Sequence, residues 1–113
     1  MPIQLPAVTS RSIFEADRKS NQPIRELLSV YGLRFSLIRL KVIDALLVAT
    51  REGRFIGAQG THTQVQSTVA GCSFVSVREV LKRLCEKGVI EHHADKSYRF
   101  TARAQAMLTQ RSG

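Results

Sequence analysis

Tryptophan is absent from this 113-residue chain, which has only five phenylalanines and two tyrosines. Its core must therefore be small and aliphatic. Cysteine is almost as scarce: Cys72 and Cys85 are the only two. Two cysteines make no disulfide framework, and neither has the paired spacing of a zinc site, so both read as reduced small hydrophobes. No apolar run approaches the length needed to cross a membrane, so no membrane partner is expected. The opening Met1-Pro-Ile-Gln-Leu-Pro-Ala-Val8 lacks the basic region and long apolar stretch of a signal peptide. The compartment reads as cytoplasm.

Acidic residues are few and scattered. The nine carboxylates lie among basic residues, with no pair placed as an acid/base couple and no cluster suited to the magnesium of a nuclease. Gly53, Gly57 and Gly60 lack the lysine and spacing of a phosphate-binding loop. No local signature ties serine, histidine and aspartate together. The chain reads as a binding module, with no catalytic residue and no cofactor.

Positive charge is plentiful. Seventeen lysines and arginines give a formal charge of +8, and such a field attracts polyanions. Nucleic acid is the commonest partner of this kind; an acidic lipid surface and an acidic protein are the others. The length suits one domain that can bury a modest core without staples.

Residues 1 to about 10 carry two prolines and no periodicity, and read as an arm. Ser12 and Glu15 have capping-box spacing for a short helix to about Lys19. Pro23 suits the first turn of a helix over 23–31, with Ile24, Leu27, Leu28 and Tyr31 on one face and Gly32 as its stop. Ser36 is a good N-cap for a helix over 36–50 that is apolar around most of its circumference, hence central. Arg39, Lys41 and Asp44 mark the little of it that reaches solvent. Gly53, Gly57 and Gly60 bracket Phe55-Ile56 in a loop with room for one short strand. A third helix over 62–70, capped by Thr61 or Thr63, ends at Gly71.

The stretch from Ser73 to Thr101 is the most informative. With Ser76 as N-cap, a helix over 76–87 gathers Val77, Val80, Leu81, Leu84 and Cys85 on one face and ends at Gly88. The opposite face carries Arg78, Glu79, Lys82, Arg83 and Glu86. Val89-Ile90, the turn-rich Ala94-Asp-Lys-Ser97 and the alternating Tyr98-Arg99-Phe100 then read as a β-hairpin over 89–100. A basic helix followed by a hairpin is the order in which a winged helix-turn-helix meets DNA. Thr101 caps a last short helix whose apolar side either packs back on the domain or serves a dimer interface. The segment around Ile13 and Phe14 carries the same two alternatives.

The sequence Gly32-Leu33-Arg34, then Ser36 and Arg39, before Val42, Ile43 and Leu46, resembles the opening of the DNA-binding domain of the ferric uptake regulator family. Val75-Ser-Val-Arg-Glu-Val-Leu81, Leu84 and Gly88-Val-Ile90 resemble its recognition helix and the strand after it, with His93 and Lys96–Phe100 where its wing would be. The resemblance covers about residues 22 to 101. It implies that Ser76 inherits a base or backbone contact and that Arg78 takes the place of a DNA-contacting tyrosine. The family's Tyr-Arg pair is Arg78-Glu79 here, so its base preference does not carry over. The family's metal sensing and its usual dimer, which belong to a second domain, are not expected to carry over. Adjacent His92 and His93 point to opposite faces of a strand and lack a partner set, so no metal site is expected.

The expected fold is α+β and mainly helical: an N-terminal arm and short helix (1–21), a winged-helix domain (22–101) and a C-terminal helical extension (102–113). The expected function is sequence-specific binding of double-stranded DNA by a small bacterial transcriptional regulator, nucleoid-associated when bound. Ser76 and Arg78 would meet bases, Lys82 and Arg83 the backbone from the helix, and Lys96 and Arg99 the backbone from the wing. Arg34 and Arg39 would hold flanking phosphates. A homodimer through the terminal helices would suit two-fold operators. The alternative is a winged-helix docking module whose basic face meets an acidic protein.

Overall fold

The computed structural model describes residues 21–109; the arm and short helix expected before Asn21 lie outside them. Five helices and one two-stranded antiparallel sheet follow in the order α1 (Gln22–Val30), α2 (Leu37–Arg51), α3 (Ala58–Gln66), α4 (Phe74–Lys87), β1 (Ile90–His92), β2 (Tyr98–Phe100) and α5 (Ala102–Thr109). The fold is therefore α+β and mainly helical. None of the described helices is long and apolar enough to cross a membrane.

Helix α2 is the central element. Ser36 caps it, its side chain accepting from the Arg39 N–H at 3.2 Å. Leu40, Val42, Ile43, Ala45, Leu46, Leu47 and Ala49 are all buried, which is what an almost wholly apolar circumference requires. Asp44 is exposed and Arg39 and Lys41 are half-buried. Helix α1, with Pro23 in its first turn, presents Ile24, Leu27 and Leu28 to the same core. Helix α4 adds Val77, Val80, Leu81 and Leu84, while Cys85 at the edge of that face is half-buried. Each fully buried leucine or valine stabilises the fold by about 1.5–3 kcal/mol relative to exposure.

Two helix starts differ from the sequence reading. Helix α3 begins at Ala58, four residues before the expected 62, because Thr61 is not its cap. The Gly57 carbonyl accepts both the Thr61 N–H at 2.9 Å and the Thr61 hydroxyl at 2.8 Å. Thr61 thus lies one turn inside the helix and is fully buried. Helix α4 starts from Ser73 instead of Ser76. The Ser73 hydroxyl oxygen accepts from the Ser76 N–H at 3.0 Å and donates to the Ser76 hydroxyl at 2.9 Å. Two serines three apart compete for the cap, and the earlier one has the extended backbone a cap needs.

The hairpin pairs Ile90 with Phe100, Glu91 with Arg99 and His92 with Tyr98. Phe55-Ile56 forms no strand, but the Tyr98 N–H donates to the Ile56 carbonyl at 2.9 Å, on the side of β2 away from β1. One backbone bond thus attaches the loop between α2 and α3 to the sheet. Gly88 ends α4 with φ 85°. Thr101 then joins both ends of the hairpin: its hydroxyl donates to the Gly88 carbonyl at 2.9 Å and accepts from the Ala104 N–H at 3.4 Å. Helix α5 packs back on α1 and β2, burying Ala104 and Leu108.

Candidate nucleic-acid interface

Burial of one face of α4 against α2, α3 and β1 leaves Ser76, Arg78, Glu79, Lys82, Arg83 and Glu86 exposed along the other. The turn before it is fixed from α3: His62 Nε2–H donates to the Cys72 carbonyl at 2.8 Å, and the His62 and Phe74 rings meet edge to face with centroids 5.6 Å apart. Ser76 therefore stands in the first turn of α4 beside its cap.

Three shallow depressions border the exposed face. On one side, Arg39, Lys82 and Arg83 share a depression with Glu79 and Glu86. It borders a second hollow lined by Ser29, Gly32, Arg34, Arg39 and Arg83. Within the corner that holds these arginines, Arg39 Nη1 donates to the Arg34 carbonyl at 2.7 Å. Arg83 also sits 3.5 Å from Glu86. On the other side, Arg78, Lys82, Cys85, His92 and Tyr98 line the space between α4 and the hairpin. Arg34, Arg39, Arg83, Lys82 and Arg78 are thus brought into one cationic band that runs from the α1–α2 corner to the hairpin.

Lys96 and Arg99 are placed differently. Lys96 is at the tip, exposed, with φ 69°. Arg99 lies on the opposite hairpin face from His92 and Tyr98, with its guanidinium 4.1 Å from the centre of the Phe55 ring. Its Nη2 donates to Asp95 at 3.0 Å and its Nε to the Ser97 hydroxyl at 3.3 Å. Two of its three nitrogens are therefore committed within the hairpin. Asp95 is the acceptor that shapes the tip. Its carboxyl is held down at about 2, first by the Ser97 hydroxyl, then by the Ser97 N–H, with Arg99 adding to both.

The sequence pattern leaves His92 as polar surface or a phosphate contact when protonated, and does not mark Tyr98 as a site residue. The two rings stack at 4.6 Å and form the wall that faces Arg78. The signal was available: with period two from the inward Ile90, His92 falls on the α4 side of the strand. Burial, and after it the neighbouring Cys85, push the Tyr98 hydroxyl above its ordinary value, while Arg78 pulls it back. Burial likewise pushes the Cys85 thiol up, with Glu86 adding to it, so Cys85 is a protonated wall of this space at neutral pH.

Gly57 was also missed. A Cβ on it would lie 2.7 Å from the Lys96 carbonyl oxygen, so the hairpin tip rests directly on the start of α3. Among the described residues no group of three or more metal-ligating side chains is assembled.

No curated protein matches the chain. Residues 19–112 match the model of a family described as "Uncharacterised conserved protein UCP029502". That match takes in all five helices and the hairpin, and the chain belongs to this family.

Proposed function

We propose that this is a winged helix-turn-helix protein that binds double-stranded DNA sequence-specifically, as a small transcriptional regulator. The observation that carries the reading is the cationic band itself. Five side chains from α4 and the α1–α2 corner, far apart in sequence, converge beside a hairpin. An α-helix with one face exposed along its length fits the major groove, which is about 12 Å wide. The bond from Tyr98 to Ile56 supports reading the hairpin as a wing built on the α2–α3 loop, in line with the resemblance of Gly32-Leu33-Arg34 and Gly88-Val89-Ile90 to the ferric uptake regulator family.

In the proposed complex Ser76 and Arg78, early in α4, reach base edges. Lys82 and Arg83 hold the backbone, and Arg34 and Arg39 hold phosphates beyond it. Lys96 touches the backbone from the tip. Arg99 acts chiefly by bracing that tip, since Asp95, Ser97 and Phe55 already engage it.

The test is duplex affinity across a salt series with the whole chain. Log affinity should fall steeply and linearly with log salt, and each of Arg39→Ala, Lys82→Ala and Arg83→Ala should flatten the slope by about 1. Affinity that ignores salt, or slopes that survive all three substitutions, would sink the reading.

One observation favours a second reading, a docking module for an acidic protein. Val30, Phe35 and Leu37 are large apolar side chains left 53%, 43% and 55% exposed at the α1–α2 corner, beside Arg34. In that case Phe35→Ser would weaken capture of the partner, and duplex DNA would bind without sequence preference.

A further inference from the structure

Two exposed residues of α4 stand among the cations of the band without adding to its charge. Val75 is 66% exposed, the most exposed large apolar side chain among the described residues. Glu79 is exposed and, among the described residues, has no hydrogen-bond or ion-pair partner. Glu86, by contrast, sits against Arg83. Val75 and Glu79 are four residues apart in one helix, so their side chains stand one above the other on the same side, about 6 Å apart along the axis. Arg78 and Lys82, at the intermediate helical spacings, flank them.

A carboxylate on a helix that enters the major groove loses water and meets phosphate charge of its own sign. A hydrogen-bond donor on a base edge offsets that cost; of the two amino groups in the groove, adenine's stands beside the N7 acceptor and suits an amide, whereas the 4-amino group of cytosine suits a carboxylate. An exposed valine gains nothing from water. In the groove its methyls meet the one apolar group a base edge presents, the 5-methyl of thymine.

Building on the duplex-binding reading above, we infer that Val75 and Glu79 are specificity-determining residues, Val75 packing on a thymine methyl and Glu79 accepting from a cytosine amino group. With about 3.4 Å between base pairs, the two bases lie one or two steps apart. Glu79 also weakens binding to unrelated sequence, because without its cytosine partner it repels the phosphates. The acid in the band therefore acts as a discriminator.

The test is selection from a randomised duplex pool by the full chain, followed by affinity measurements on the selected duplex. Thymine and cytosine should be selected one or two steps apart. Glu79→Ala should abolish the cytosine preference, with a loss of about tenfold or more on the selected duplex, and should tighten binding to random duplex. Glu79→Gln should move the preference toward adenine. Replacing the selected thymine by deoxyuridine, which removes only the methyl, should cost the wild-type chain about fourfold and should cost Val75→Ser nothing. If the wild-type chain selects a sequence that Glu79→Ala and Val75→Ser recover unchanged, this inference fails while the duplex reading stands. If the wild-type chain shows no salt-dependent duplex binding, both fail.

Discussion

At the scale of single residues, the hairpin tip depends on one carboxylate. Asp95 accepts from the Ser97 N–H at 3.0 Å, from the Ser97 hydroxyl at 2.6 Å and from Arg99 at 3.0 Å, and these bonds hold its carboxyl at about 2 instead of 3.8. A carboxyl lowered on folding contributes stability that is whole above the unfolded value and is lost as pH falls through the folded one. The hairpin should therefore keep its geometry down to about pH 4 and loosen between there and about pH 2. An NMR titration following Asp95 and the Ser97 amide measures this, and Asp95→Asn should abolish the acid limb. The run Ala94–Ser97 was legible as a turn, because these residue types favour turns wherever they occur. The engagement of Arg99 was not legible, since nothing in a one-dimensional pattern brings Phe55 under it.

At the scale of elements, boundaries rest on which of several competing polar groups takes a backbone partner. The apolar periodicities of α1, α2 and α4 were legible, because burial of one face overrides weaker local preferences. The start of α3 was not: its first turns are Ala58-Gln-Gly-Thr-His, with no apolar period to mark them. The same junction yields a prediction. Gly57 has ordinary extended backbone, so its need for glycine is one of space, and Gly57→Ala should drive a methyl against the Lys96 carbonyl. The expected cost is about 1–3 kcal/mol, read from denaturant unfolding, with chemical-shift changes at the tip. Gly88 is the opposite case. A Cβ there meets nothing within 4 Å, yet φ is +85°. Gly88→Ala should cost about 1–2 kcal/mol through backbone strain alone and leave the tip unperturbed.

At the scale of the whole molecule, a charge of +8 sets the balance. The ion pairs among the described residues, such as Arg83 with Glu86 and Arg99 with Asp95, each have at least one exposed partner, and pairs at the surface contribute about 0–1 kcal/mol each. Most of the cationic band is thus uncompensated, and it repels itself in the folded state. Raising ionic strength from very low to physiological should increase the thermal midpoint, because screening relieves that repulsion. The same change should weaken the proposed duplex complex. Calorimetry of the free chain gives the first trend, and affinity the second; a midpoint that falls with salt would contradict the repulsion. The net charge was legible by counting residues. Its concentration in one band was not, because Arg34 and Arg39 join Arg83 only once α2 crosses α4.

The bond from the Tyr98 N–H to the Ile56 carbonyl has a meaning beyond the isolated chain. A two-stranded ribbon has two open edges, and an open edge is a template on which another copy can add a strand. Ile56 occupies the β2 edge at its first residue, Tyr98, so self-association along that side first requires the α2–α3 loop to be displaced. The short segment around Phe55 and Ile56, which belongs to neither a helix nor a strand, thereby caps an edge along which copies of the chain would otherwise be free to add strands.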